Sequence, residues 1–257
     1  MKLDLNLFTN FCSNHIDDTP LFNTIESLHK QVGLDIFNSI KVFCHHGPFI
    51  HNRMQFYQKV AASLVGYPFT FYYTRGLADG YLKSIQVSDA DYLFQFEHDW
   101  VFIQGRLRHD LLTICQSMQN NSIPYVRFNR FPNQSTTVET LSAVPDCVGD
   151  VPFCKTTQFS NNPHLLDREH ARLTYMPLIN IKKARSSGIE ENITRQYREG
   201  WIYGDLLQEP VILHTDGKKY MKNLGGGTFF DKIYLSILKH RTKWMARFAL
   251  GHSGRFP

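Results

Sequence analysis

Several features that mark secreted, membrane or zinc-binding proteins are absent from this sequence of 257 residues. Its five cysteines are odd in number and none stands in a C-x-x-C pair, which predicts reduced thiols and no zinc site of that kind. No stretch approaches the roughly 20 apolar residues that a membrane-spanning helix needs. Residues 1–5 carry charge and start no long apolar run, so we expect no secretory signal peptide and a cytoplasmic protein.

The short motifs of several enzyme classes are also missing. Neither G-x-S-x-G nor H-E-x-x-H occurs, so the usual marks of α/β-hydrolases and zinc peptidases are absent. The three glycines at 225–227 lack the lysine and the preceding strand of a P-loop. The composition is that of an ordinary globular protein, 42% hydrophobic and 20% charged. A formal charge of +5 favours phosphorylated ligands, nucleic acid or anionic membranes without choosing among them.

The first hundred residues alternate short apolar stretches with amphipathic ones. Apolar residues at helical spacing predict helices, and the stretches between them predict strands at 3–9, 40–44, 69–73 and 92–96. The helices are expected at 19–32, 51–64 and 77–85. This alternation is typical of βαβ units, so we expect an α/β fold with a Rossmann-like, mixed, mainly parallel sheet flanked by helices. Such sheets bind ligands at the carboxyl ends of their strands.

The second half of the chain is less regular. Its pattern predicts a long polar loop at 129–149, helices at 106–118 and 188–198, and strands at 124–128, 155–159 and 211–214. Apolar residues from Phe230 to Phe248 recur at helical spacing among lysines and arginines, which predicts a basic C-terminal helix within 229–257. Without low-complexity linkers or repeats, we interpret 1–257 as a single domain.

The strongest indication of chemistry is the stretch YLFQFEHD at 92–99. An apolar strand delivers two carboxylates, Glu97 and Asp99, into the loop that follows it. Residues i and i+2 of an extended chain point the same way. Two oxygen ligands on one side suit Mg²⁺ or Mn²⁺, with diphosphate oxygens completing the coordination. An acidic turn without a metal is the alternative interpretation.

The surroundings of this motif resemble the GT-A glycosyltransferases, in particular the large inverting group that includes family 2. The matching residues are RGLADGY at 75–81, the helix that it starts, and SDADYL at 88–93. The resemblance covers residues 1–110 closely and the rest loosely, and Glu97 stands where most members have Asp. The chain is also similar, more faintly, to small glycosyltransferases of bacterial surface-polysaccharide loci and large algal viruses. The resemblance implies metal-dependent, inverting transfer of a sugar from a nucleotide diphosphate donor to a glycan hydroxyl.

Site residues follow from the resemblance one by one. The metal ligands would be Glu97, Asp99 and a late histidine, His214, with His252 as the alternative. Within SGIEEN at 187–192, Glu191 would be the catalytic base, with Glu190 next in preference. The donor-binding residues would be Thr9, Asn10, His45, Arg75, Asp79 and His98. Simpler interpretations exist: Asp79 also suits a helix N-terminus, two adjacent glutamates are often just solvated, and a lone histidine is often structural.

The resemblance also divides the chain by role. Residues 1–104 would bind the nucleotide-sugar, 105–228 the glycan or glycolipid acceptor, and no nucleic acid is expected. The basic helix at 229–257 either packs on the catalytic domain or makes a peripheral membrane contact. A sugar nucleotidyltransferase would need an N-terminal glycine-rich, arginine-bearing loop, which this sequence lacks. A non-enzymatic basic module for glycan or nucleic acid would show no metal-dependent nucleotide binding.

Overall fold

A computed structural model describes residues 1–11, 19–46, 53–137, 139–144, 148–182 and 188–215. Predictions on Cys12, Cys147, His252 and the basic helix at 229–257 therefore lie outside the described residues. The strands are β1 (Leu3–Phe11), β2 (Ser39–His46), β3 (Phe69–Thr74), β4 (Tyr92–Glu97), β5 (Trp100–Phe102), β6 (Tyr125–Arg127), β7 (Leu141–Ala143), β8 (Phe153–Thr156), β9 (His164–Asp167), β10 (Gly200–Tyr203) and β11 (Ile212–His214). The α-helices are α1 (Thr19–Gln31), α2 (Arg53–Ser63), α3 (Leu77–Val87), α4 (Leu111–Asn120), α5 (Arg168–His170) and α6 (Glu190–Gln196).

Nine of these strands form one mixed sheet, in the order β3-β2-β1-β4-β9-β6-β10-β8-β7. Strands β3, β2, β1 and β4 run parallel to one another. Strand β9 then inserts antiparallel between β4 and β6, and β10 returns parallel to β6. Strands β5 and β11 pair in a separate two-stranded sheet. The predicted Rossmann-like sheet is confirmed, and its regular parallel part is the first half of the chain.

The sheet has helices on both faces, and residues 3–9 of β1 and 92–96 of β4 are buried on both sides. On one face Leu3, Leu5 and Leu7 of β1 belong to a core that includes apolar residues of α1, α2 and α4. On the other face Phe8 joins a second core with Ala78, Tyr81 and Ile85 of α3 and with Ile189 and Ile193 beside or within α6.

The first half follows the predicted elements closely. Helix α1 ends before Gly33, whose φ of 81° lies in the left-handed region that favours glycine. In α2, Phe56 and Val60 are buried, as is Leu64 just after the helix, whereas Tyr57 is 40% exposed. The predicted helix at 106–118 begins later, because Asp110 caps α4 by accepting a hydrogen bond from the Thr113 backbone N–H.

The second half contains elements that the sequence pattern did not predict. Strands β5, β7, β9 and β10 have only three or four residues each. Strand β8 ends at Thr156, three residues before the predicted end of that strand. After β9, α5 continues through a π-helical turn (Ala171–Tyr175) into a 3₁₀ turn (Met176–Leu178).

The chain divides into two compact units, Met1–Leu213 and His214–Pro257. The first holds almost all of the described residues. Within the described part of the chain, no helix is long and apolar enough to cross a membrane. Cys44, Cys115 and Cys154 are buried free thiols.

Candidate functional site

The carboxyl ends of β1 to β4 meet at one edge of the sheet. Because these strands are parallel, the register places Asn10 opposite His45, His45 opposite Thr74, and Phe8 opposite Glu97. Most of the predicted donor-binding residues and the acidic motif therefore share one edge. Thr9 is buried at this edge. This is where α/β sheets of this kind place their ligands.

Two neighbouring elements hold the turn that carries Glu97 and Asp99. The backbone N–H of His98 donates to the Phe8 carbonyl at 2.8 Å, which ties the turn to β1. The Thr24 hydroxyl of α1 lies 2.6 Å from the carbonyl oxygens of both His98 and Trp100, and its one proton serves one of them at a time. The two carboxylates thus follow a backbone whose position β1 and α1 fix.

The charge state of Glu97 is strongly perturbed. Burial raises the pKa of Glu97 to about 8, and the negative charge of Asp99 pushes it in the same direction. A hydrogen bond from Asn161 lowers this pKa, and the charge of Glu190 raises it. A carboxyl group that is hard to ionise in the absence of a cation is well suited to lie beside one, because a nearby cation favours the ionised form.

Asn161 connects Glu97 to Glu190. Its side-chain Nδ2 donates to Glu97 Oε1 at 2.9 Å, and its backbone N–H donates to Glu190 Oε1. The Ser160 hydroxyl also donates to Glu190 Oε1, at 3.3 Å. Glu190 starts α6, so this helix is joined to the acidic turn through a single asparagine.

The irregular segment at 159–162 is held by side chains from three elements. The Tyr125 hydroxyl of β6 donates to the Ser160 carbonyl and accepts from the Ser160 N–H. Thr194 of α6 hydrogen-bonds both the N–H and the carbonyl of Phe159 at 3.2 Å. His164 Nδ1 donates to the Asn162 carbonyl, and the Tyr81 hydroxyl donates to His164 Nε2, both at 2.7 Å. Burial lowers the pKa of His164 to about 4, so the ring is neutral at pH 7.

The two predicted base candidates differ in their surroundings. The Glu190 carboxylate accepts hydrogen bonds from Asn161 and Ser160 and is directed towards Glu97. The Glu191 side chain is 47% exposed, and its Oε2 lies 3.9 Å from Arg195 Nη2 one turn further along α6. The structure thus brings Glu190 into the acidic cluster, whereas Glu191 faces solvent beside it. Which of them acts as the base remains a prediction.

Arg75 and Asp79 bind each other at the same edge of the sheet. The Arg75 backbone N–H donates to Asp79 Oδ2 at 2.9 Å, and its Nη2 donates to Asp79 Oδ1 at 3.2 Å. Burial alone would raise the pKa of Asp79, but these hydrogen bonds outweigh it and the pKa lies below its ordinary value. The Arg75 side chain is 71% exposed, so its outer guanidinium face is open to an anion.

The remaining predicted ligand, His214, is the last residue of β11. Among the described residues, no three His, Cys, Asp or Glu side chains are grouped so that they could hold a metal ion. Of the predicted metal ligands, Glu97 and Asp99 lie in the first compact unit, as two carboxylates separated by one residue. Two carboxylates with the other positions left to water and phosphate fit Mg²⁺ and Mn²⁺, which keep part of their hydration shell or take substrate phosphates.

Sequence reasoning missed Asn161, Ser160 and Tyr125. Asn161 lies only three residues before β9, and β9 pairs antiparallel with β4, with Gln95 opposite His164. Recognition of β9 as the neighbour of β4 would have placed Asn161 next to Glu97. Trp100 and Tyr203 are buried, as expected for residues of the core.

Comparisons with known proteins agree with this fold. A crystal structure of GalNAc-T7 with UDP, GalNAc and Mn²⁺ aligns at a TM-score of 0.54 and 10% identity, over 79% of this chain and 42% of that chain. A structure of residues 1–349 of S. aureus TarS aligns at a TM-score of 0.48 and 8% identity, over 82% of this chain and 60% of that one. No family model and no curated protein sequence matches. The chain spans less than two thirds of both structures, and the first alignment shows a shared GT-A fold.

Proposed function

We propose that this chain is a metal-dependent glycosyltransferase that moves a sugar from a nucleotide diphosphate donor to a glycan or glycolipid hydroxyl, with inversion at the anomeric carbon. The observation that carries the proposal is the position of Glu97 and Asp99 at the carboxyl end of β4, in the middle of a GT-A sheet. The GalNAc-T7 structure with this fold contains UDP and Mn²⁺, which supports the same class of donor here.

In the proposed site the carboxylates of Glu97 and Asp99 hold Mn²⁺ or Mg²⁺, and water and diphosphate oxygens take the other positions. When bound, the metal stabilises the charge that develops on the departing diphosphate. Thr9, Asn10 and His45 surround the nucleoside at the ends of β1 and β2. Arg75, fixed by Asp79, faces the anionic part of the donor, and His98 lies in the turn between the two acids.

Glu191 is the proposed base that removes the proton of the acceptor hydroxyl. It is exposed to solvent, where an acceptor can approach, whereas Glu190 already accepts two hydrogen bonds. A surface cavity of ≈ 520 Å³ lies next to it, lined by residues 177–182 together with Asn192 and Arg195 of α6. We assign the acceptor to this side of α6. The proposed location is the cytoplasm.

Calorimetry with Mn²⁺ and a panel of nucleoside diphosphates tests the proposal. Asp99→Ala should abolish Mn²⁺-dependent binding, because it removes a proposed metal ligand, and thermal unfolding should show that the variant remains folded. Asp89→Ala, which removes a surface acid that is 76% exposed, is the matched control and should bind as the wild type does. Unchanged binding in Asp99→Ala would remove the metal site from the proposal. No binding by the wild type would favour the non-enzymatic alternative.

A further inference from the structure

One buried polar atom in the acidic cluster has no hydrogen-bond partner among the described residues. It is Oδ1 of Asn161, a residue that is only 8% exposed. The Nδ2 of the same amide donates to Glu97 Oε1, so Oδ1 lies beside the acidic turn as well. A buried acceptor without a donor costs free energy, and native proteins rarely keep one without a use.

The groups nearest to this amide cannot satisfy it. Glu97 uses Oε1 to accept from Nδ2, and Glu190 accepts from the Asn161 backbone. Asp99 adds a further negative charge next to Glu97. Once a cation is bound and Glu97 is ionised, the surrounding carboxylates offer only acceptors, so a bound molecule is the remaining source of a donor for Oδ1.

Hydrogen bonds to the backbone of residues 160 and 161 also fix the position of this amide. Glu190 fixes the backbone N–H of Asn161, and Tyr125 fixes both backbone groups of Ser160. Rotation of the side chain would break the contact with Glu97. Groups held in this way by their surroundings are typical of preorganised binding sites.

We propose that Asn161 is a ligand-binding residue of this site: its Nδ2 orients Glu97, and its Oδ1 accepts a hydrogen bond from an O–H group of the bound donor complex. The inference rests on the proposed function, because the complex is that of metal and nucleotide-sugar. The O–H group belongs either to a water on the metal or to a hydroxyl of the sugar. Glu190 acts as a positioning residue, since it holds the segment that carries Asn161.

The test compares the wild type with Asn161→Leu, which keeps the branched shape of the side chain and has no polar atom, and with the smaller Asn161→Ser. Asn133→Leu is the matched control, because Asn133 is an equally buried asparagine whose amide bonds to the Tyr203 and Asp205 carbonyls. Calorimetry is run with Mn²⁺ and the nucleoside diphosphate that the wild type binds, and then with the corresponding nucleotide-sugar. Melting temperatures measured alongside report folding.

We expect Asn161→Leu to weaken binding of the Mn²⁺–nucleoside diphosphate about tenfold or more, as for loss of a hydrogen bond to a charged group. An equal loss with both ligands assigns Oδ1 to a metal-bound water, whereas a larger loss with the nucleotide-sugar assigns it to a sugar hydroxyl. Wild-type affinity in folded Asn161→Leu or Asn161→Ser overturns the inference and leaves the proposed function standing. The same loss in Asn133→Leu also overturns it, because the effect would then be general destabilisation. A wild type that binds no nucleoside diphosphate overturns the proposed function itself.

Discussion

Buried acids at the two ends of the parallel strands have pKa values shifted in opposite directions. At the amino end, Asp4 of β1 is fully buried and pairs with Lys41, Ser39 and Ser88. Burial alone would raise the pKa of Asp4, but these hydrogen bonds outweigh it and the pKa lies below its ordinary value. At the carboxyl end, burial and the charge of Asp99 raise the pKa of Glu97 to about 8.

This difference separates an acid that stabilises the fold from acids kept for a ligand. A buried carboxylate with a lysine and two hydroxyl groups is compensated within the protein. At Glu97 one amide opposes the effects of burial, Asp99 and Glu190, so the carboxyl group stays protonated up to about pH 8 and a bound cation would favour its ionised form. Shifted pKa values of buried titratable groups are common at functional sites.

The largest expected effect concerns Glu191, the half-exposed acid of α6 that we propose as the base. Glu191→Gln should lower the rate of sugar transfer by about 10²–10⁴-fold, because it removes proton abstraction from the acceptor. Donor affinity and melting temperature should stay at the wild-type level, since the side chain is 47% exposed. Rates of transfer, calorimetry and thermal unfolding measure the three quantities.

Glu190→Gln is the comparison for this variant. Full activity in Glu191→Gln together with loss of transfer, at unchanged donor affinity, in Glu190→Gln would move the base to Glu190. The anomeric configuration of the product, determined by NMR, tests inversion separately.

At the amino end of the strands we expect a variant to lose stability and to keep its affinity for the ligand. Asp4→Ala should lower the free energy of unfolding by about 3–5 kcal/mol, because it leaves the buried Lys41 ammonium unpaired. Mn²⁺-dependent nucleotide binding should not change. Urea unfolding and calorimetry provide the two measurements.

Asp91→Ala is the control for Asp4→Ala, since Asp91 is 59% exposed and pairs with the N-terminal ammonium at 3.9 Å. Such a surface pair is worth about 1 kcal/mol or less. If Asp4→Ala lost nucleotide binding but kept its stability, the contrast between the two ends would be wrong.

The half of the fold that carries the acidic motif could be predicted from the sequence. Strands β1 to β4 are apolar and alternate with helices, so periodicity identified them and topology placed their ends together. Strands β5, β7, β9 and β10 are too short to show a period, and their pairing depends on contacts distant in sequence. For the same reason the sequence predicted a polar loop throughout 129–149, where the structure has β7.

The residues of the candidate site also differ in whether local sequence could identify them. Glu97 and Asp99 were identified from local spacing. The position of Asn10 opposite His45 follows from the parallel pairing of β1 and β2. Asn161 was missed because nothing in its neighbours Ser160 and Asn162 indicates a ligand. Its role arises from the insertion of β9 beside β4 and from hydrogen bonds that Tyr125 and Glu190 supply.

His164 is a third buried titratable group, and it predicts how the stability of the fold depends on pH. His164 has a pKa near 6.5 when unfolded, and burial lowers it to about 4 in the fold. As pH falls from 6.5 to 4, the unfolded chain binds a proton that the folded chain does not, so stability is lost across this range. The loss should reach about 3 kcal/mol, at 1.36 kcal/mol per pKa unit.

His164→Gln should remove the loss that His164 causes and leave the opposite effect of Glu97, whose pKa of about 8 adds stability as pH falls through this range. His29→Gln, at an exposed histidine, should leave the wild-type profile in place. An unchanged slope between pH 6.5 and 4 in His164→Gln would show that other groups cause the acid sensitivity. Asp4 would not explain such a slope, because its pKa lies below 3.8 and its stabilisation is lost only at lower pH.

The smallest effect is the most direct test of the contrast between the two ends. Glu97→Gln keeps an oxygen that can accept from Asn161 Nδ2 and removes the carboxyl group that burial and Asp99 make hard to ionise. We expect the metal-free protein to gain about 0.5–2 kcal/mol of stability, as is common when a functional site is relieved of strain. The stabilisation that Mn²⁺ and a nucleoside diphosphate give the wild type should disappear, because ligand-induced stability depends on affinity for the folded state. Asp4→Asn should show the opposite pair of results. Melting temperatures with and without Mn²⁺ and nucleotide decide between them, and a less stable Glu97→Gln that still responds to the ligand would mean that Glu97, like Asp4, serves the fold.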